Sequence, residues 1–258
     1  MMKQNNSKSI DHIILKRKRM TDSAKALEEL RGEIPFLNKY VVGIDTASVE
    51  NKAEPWVFAP VYLAIRRQRI TKPVMPVGSE YAYINNIGLT FHVGEEFRHI
   101  LSGMRHVYEV ISFMGFKAGD RIGHGIALGE DIERWIDRHE TVIIPAGEWL
   151  ENLVWLWGVS ISGELNVQIF TEKVSKEILS LAEKYMEKMK SLTLEILYEA
   201  YLRKFQLWHD NIFENMKNML DEAWGVCYYN TRFVGQAVKT PPSHGGNTGS
   251  IPVRTAEI

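Results

Sequence analysis

From Gly88 to Leu128 the chain sets two short apolar runs around one helix-length amphipathic segment. The first run, Leu89-Thr90-Phe91-His92-Val93-Gly94-Glu95-Glu96, ends in a histidine and a carboxylate. The second, Asp120-Arg121-Ile122-Gly123-His124-Gly125-Ile126-Ala127-Leu128, carries a histidine at the same relative place. Between them Phe97, Ile100, Leu101, Met104, Val107, Tyr108, Ile111 and Met114 recur at three- and four-residue spacing, an apolar stripe suited to covering a sheet. Arg98, Arg105 and Glu109 fall elsewhere on that wheel. His99 and His106 share a face and could form a metal pair, but with no third ligand near them in sequence they read as two solvated histidines on a surface helix. Strand, helix and strand with polar residues at the strand ends describe a βαβ unit, and in (β/α) barrels the chemistry gathers at those ends. Position therefore places His92, Glu95 and His124 in one site.

The same alternation extends to both sides. Ile13-Ile14-Leu15, running into Lys16-Arg17-Lys18-Arg19, reads as a strand leaving the core. Thr21, Asp22 and Ser23 read as caps of a helix over Ala24–Leu30. A strand at Tyr40–Asp45 and a helix from Phe58 to Arg69 follow, then a loop punctuated by Pro73, Pro76 and Gly78. Beyond His124 the pattern predicts a helix over Glu130–His139 and a buried strand, Thr141-Val142-Ile143-Ile144, closed by Pro145. A core helix carries Trp149, Leu150, Leu153, Val154, Leu156 and Trp157.

After Gly158 the character changes. Val174, Ile178, Leu181, Tyr185, Met189, Leu192 and Ile196, then Leu202, Phe205, Trp208, Ile212, Met216 and Met219, keep helical spacing with no strand signal between them. The fold class is therefore α/β: an incomplete (β/α) TIM-type barrel over residues 1–158, an α-helical insertion over 159–225, and a poorly structured tail over 226–258, rich in Gly, Pro, Ser and Thr.

Composition narrows the function. Lys+Arg 31 against Asp+Glu 32 gives a net charge of −1 and no electrostatic case for nucleic acid or a membrane surface. No apolar run approaches membrane-spanning length, and the polar Met1–Ser9 lacks the apolar core of a signal peptide. A single cysteine, Cys227, excludes internal disulfides and fits a reducing cytoplasm, so a cytoplasmic protein is expected. It also rules out the paired-cysteine zinc site of cytidine-type deaminases. A metal here would be held by His and carboxylate.

Three motifs carry a resemblance. His92-Val93-Gly94-Glu95 resembles the His-Ala-Gly-Glu motif of adenosine deaminases, and Arg121-Ile122-Gly123-His124-Gly125 matches their Arg-Ile-Gly-His-Gly motif. Upstream, Val41-Val42-Gly43-Ile44-Asp45-Thr46-Ala47 is similar to their Val-Val-Gly-Ile-Asp-Leu-Ala strand. The motifs occur in the family's order, and the resemblance covers about residues 10–158. In its long helical segment the chain also looks like the large insert-bearing bacterial deaminase-like branch.

The resemblance implies a zinc-dependent hydrolase that deaminates a 6-aminopurine, with a purine nucleoside or nucleotide as substrate. His92 would be a zinc ligand, zinc lowering the pKa of a bound water. Glu95 would move a proton to the purine ring, and His124 would orient the attacking oxygen. Asp45 and Ser48 would lie on the substrate, Ser48 standing where the family has a glycine. Two parts of the family's pattern are missing. No two of the eight histidines are spaced as His-x-His, and no late Asp-Asp pair follows. With a single matched ligand, tight zinc binding by this chain alone is not expected. The alternative reading is a non-catalytic remnant or scaffold subunit derived from a deaminase. An open barrel exposes strand edges, so a homo-oligomer or a partner chain covering it is expected.

The tail admits one further reading. Thr248-Gly249-Ser250-Ile251-Pro252-Val253 can be encoded by codons that form the stem and loop of a transfer RNA T-arm. On that reading the frame runs into an adjoining transfer RNA gene, and the tail is disordered.

Overall fold

The computed structural model describes residues 3–34, 36–47, 49–67, 87–163, 171–186, 192–206, 226–230 and 251–252. In chain order these form helices α1 (Lys3–Glu33) and α2 (Leu37–Tyr40), strand β1 (Gly43–Thr46), helix α3 (Ala59–Arg67), strand β2 (Gly88–Val93), helix α4 (Ile100–Phe113) and strand β3 (Arg121–His124). Helix α5 (Ile132–Arg138), strand β4 (Thr141–Pro145), helices α6 (Ala146–Ser162), α7 (Thr171–Tyr185) and α8 (Leu194–Gln206), and strands β5 (Val226–Asn230) and β6 (Ile251–Pro252) follow.

β1, β2 and β3 lie side by side and parallel, Asp45 opposite Thr90 and His92 opposite Gly123. Along β2, Leu89, Phe91 and Val93 are buried while Thr90 and His92 are half-buried on the other face, the period-2 alternation of a strand with one covered side. α3 covers the apolar face, with Phe58 and Tyr62 edge-on to Phe91. The architecture is mixed α/β with a three-stranded parallel sheet, compatible with a partial β/α fold; no closed barrel occurs among the described residues. At the N-terminal end of the sheet Asp120 accepts the Leu89 N–H (2.9 Å) and the Lys117 N–H (2.8 Å), and it pairs with Arg66 of α3. Among the described residues no helix is long and apolar enough to cross a membrane.

α6 is the second organising element. Trp149, Leu153, Val154, Trp155 and Leu156 are buried, so the aromatic stripe is core as expected. α7 and α8 pack onto it through Val174, Ile178, Leu197 and Tyr201, and Phe205 meets Phe113 of α4 at 4.7 Å between ring centroids. The helical segment thus shares one apolar core with the sheet and α4, and α6 runs past residue 158 to Ser162.

Several expectations are corrected. Ile13-Ile14-Leu15 is not a strand; it lies inside α1. The hydroxyls read as caps bond back one turn instead, Thr21 Oγ1 donating to the Arg17 carbonyl and Ser23 Oγ to that of Arg19, both at 2.9 Å, so the helix continues through them. β4 is not a buried parallel neighbour of β3. It pairs antiparallel with β5, Ile143 is 58% exposed, and the free edge of β3 is taken by β6. His99 and His106 are not solvated: both are buried, as are Arg105 and Glu109, whereas Ile111 is partly exposed. The cause is that α6 and α8 cover the polar side of α4, so that helix is enclosed on two faces. Within the segment expected to be poorly structured, Val226–Asn230 and Ile251–Pro252 are strands. The rest of that tail, Pro73–Gly78, and Trp208 to Met219 lie outside the described residues.

Candidate functional site

The C-terminal ends of β1, β2 and β3 bring four of the five expected site residues together. His92 Nδ1–H donates to Asp45 Oδ1 at 3.0 Å, and His124 Nε2 stands 3.0 Å from Glu95 Oε2 at ion-pair distance. The two imidazoles stand 5.2 Å apart between centroids, tilted by 61°. All four side chains are partly exposed, so the cluster opens to solvent. Ser48 lies outside the described residues.

Local backbone explains the motif. Gly123 lies beside His92 in register, and a Cβ there would stand 2.6 Å from the His92 ring; the glycine is the space that the ring occupies. His124 has φ 65, alone among non-glycine residues described, and Gly125 follows at φ 63. Strand alternation would send His124 to the buried face beside Val93. The left-handed backbone breaks that alternation at the residue whose ring meets His92, a local cost of the kind that collects at functional sites. Two bonds fasten the neighbouring turns, Gly125 N–H to the Val93 carbonyl (3.0 Å) and Ala127 N–H to the Gly94 carbonyl (2.9 Å).

Sequence reasoning placed Asp45 on the substrate; the structure sets it against His92. A carboxylate on one imidazole nitrogen fixes the tautomer and leaves the other nitrogen to meet a ligand. Among the described residues no three His, Cys, Asp or Glu side chains gather into a metal-holding group, and His124 is committed to Glu95. The described donors do not complete a zinc site. A cavity of about 10 Å³ behind His92, lined by Thr46, Phe58, Phe91 and His106, is too small for a purine, so a ligand of that size would take the open mouth.

Behind the site lies a buried polar network that periodicity did not reveal. Arg105 donates to Asn152 (2.7 Å), Glu109 (2.6 Å) and Glu151 (3.0 Å), and its Nη2 reaches Glu54 and His106. Lys204 donates to Glu151 at 2.6 Å, and the Tyr201 hydroxyl to Glu109 at 2.8 Å. Burial pushes the Glu54 carboxyl up, yet Arg105, His106 and Lys204 together hold it well below the usual carboxylate range. Asn152, Glu151 and Glu54 sit 47, 46 and 51 positions from Arg105, and no local signal could have paired them with it.

No protein-family model matches the chain. Among curated proteins, the adenosine deaminase of Mycolicibacterium vanbaalenii is 31% identical over 114 residues, which is 44% of this chain and 25% of that protein. The adenosine deaminase of Mycobacterium ulcerans is 30% identical over 118 residues, covering 46% of this chain and 26% of that protein. That of Mycobacterium marinum is 31% identical over 114 residues, with 44% and 25% covered. The chain therefore spans about a quarter of the length of the curated relatives it matches. Its relationship is adenosine deaminase-like, at low identity and over less than half of the chain.

Proposed function

We propose that this chain carries the central portion of an adenosine-type hydrolytic deaminase site, acting on a 6-aminopurine nucleoside or nucleotide. One observation carries the reading: two histidine–carboxylate pairs, Asp45–His92 and Glu95–His124, face each other across the ends of adjacent parallel strands. Hydrolytic deamination needs a proton delivered to the ring and one managed at the attacking oxygen. Glu95 is the proton carrier in this reading. His124, 3.0 Å from it, exchanges a proton with it and orients the incoming oxygen. Asp45 holds His92 in one tautomer, so that its second nitrogen faces the ligand. Zinc is the cofactor of the proposed complete site, with His92 as its one ligand here. The described residues do not assemble the other ligands. The site would be completed by a second copy or a partner chain at the edge of β1 that carries no strand among the described residues.

A second reading, a scaffold subunit descended from a deaminase, is favoured by that same incomplete donor set and by the network tying α8 to α4. Metal content of the purified chain, with conversion of adenosine to inosine followed by absorbance, separates the two. Stoichiometric zinc and turnover abolished by Glu95→Gln support the deaminase. A folded, zinc-free chain without turnover supports the scaffold.

A further inference from the structure

The turn that presents Glu95 is held from a distance. Glu50, on the short 3₁₀ turn Glu50–Lys52 after β1, extends its carboxylate under the loop that follows β2. Its Oε2 accepts the Glu95 N–H at 3.2 Å and the Glu96 N–H at 2.9 Å. Gly94, at φ 81, makes this geometry, since a left-handed residue followed by ordinary backbone points successive N–H groups into a common concavity that takes an anion. A Cβ at Gly94 would stand 2.9 Å from the Val107 side chain, so the turn cannot be relaxed by a larger residue without moving α4.

Glu95 and Glu96 are exposed residues, and water could have served their amides. Instead the chain commits a partly buried carboxylate to them, with Oε1 shielded from solvent and without a hydrogen-bond partner among the described residues. Burial pushes the Glu50 carboxyl up, and the amides of Glu96, Gly94 and Glu95 with nearby His106 pull it back. A desolvated acceptor spent on an exposed turn has a purpose beyond satisfying two amides.

We propose that Glu50 is a positioning residue for Glu95: it fills the amide concavity of the Gly94–Glu96 turn and so aims the Glu95 carboxylate at His124. The inference rests on the reading of Glu95 as the proton carrier. With Asp45 on His92 and Glu50 under Glu95, the β1 end orients both acidic–histidine pairs without supplying a reacting group.

The test uses the full chain, labelled with ¹⁵N and ¹³C. In Glu50→Ala the amides of Glu95 and Glu96 should exchange with solvent at least about tenfold faster, while those of α4 are unchanged. The nuclear Overhauser contact between the Glu95 side chain and the His124 ring should disappear. Glu50→Gln, whose amide oxygen still accepts, should restore that contact. If Glu50→Ala does not fold, the wild type decides: the Glu95 and Glu96 amide proton shifts should follow the titration of the Glu50 carboxyl carbon. A Glu95–His124 contact that survives Glu50→Ala, amide shifts indifferent to Glu50, or α4 amides accelerated equally would overturn the proposal. None of these readouts needs turnover. A chain that fails to convert adenosine but loses the contact in Glu50→Ala retains the positioning and loses only the deaminase reading.

Discussion

Arg105 and Glu109 stand one turn apart on α4, both without solvent exposure, and meet at 2.6 Å. The same guanidinium reaches Glu151 and Asn152 on α6, and Tyr201 of α8 closes on Glu109, so one buried cation joins three helices. Removing Arg105 strips the fully buried Glu109 of its 2.6 Å partner and leaves Lys204, 3.7 Å away, to face it. Arg105→Met should therefore destabilise the chain by about 3–5 kcal/mol. Urea unfolding measures it. A loss below about 1 kcal/mol would mean that water reaches the network.

Asp120 is the corresponding point at the N-terminal end of the sheet, bound by two backbone amides and Arg66 while only 3% exposed. Asp120→Ala should cost about 3 kcal/mol, because three donors lose one acceptor. The His92–His124 geometry at the opposite end should persist. Imidazole NMR shifts would report any spread of the effect to the site.

His99 caps α4, its Nδ1 accepting the Leu101 N–H at 3.1 Å, and its ring packs between Trp135 and Trp149. Burial pushes its pKa down to about 3. The folded state thus needs the neutral ring, whereas the unfolded chain takes up a proton near pH 6.5. The stability this residue contributes is complete above about pH 6.5 and is lost as pH falls toward about 3, with a slope of up to about 1.4 kcal/mol per pH unit. His99→Asn keeps a capping acceptor and cannot titrate, so its stability difference from wild type should shrink steadily on acidification through that window. A pH-independent difference would count against a buried neutral His99.

Gly123→Ala tests the site without touching a polar group. Its methyl would occupy the space of the His92 ring, so the ring must turn and the 3.0 Å contact with Asp45 should break. The fold should lose about 1–3 kcal/mol. A crystal structure retaining the Asp45–His92 contact would show that the backbone yields instead.

By itself the sequence determined the local elements and the candidate set. A short apolar run ending in a histidine and a carboxylate marked β2, helical spacing marked α4 and α6, and motif order picked out His92, Glu95 and His124. These features are legible because each depends on residues within one strand or one turn of helix. Tertiary structure alone decided the pairings. Asp45 reaches across 47 positions to His92, and Glu50 across 45 to the Glu95 amide. Tyr201 reaches across 92 to Glu109. It also decided which polar residues are buried. Arg105, Glu109, His99 and His106 look solvated from α4 alone, because periodicity reports an apolar stripe and says nothing of a second cover whose own polar groups match the opposite face. β4 is a strand where the sequence placed one, but its antiparallel partner was not legible, since the partner of a strand edge is a property of the assembled sheet and not of the strand.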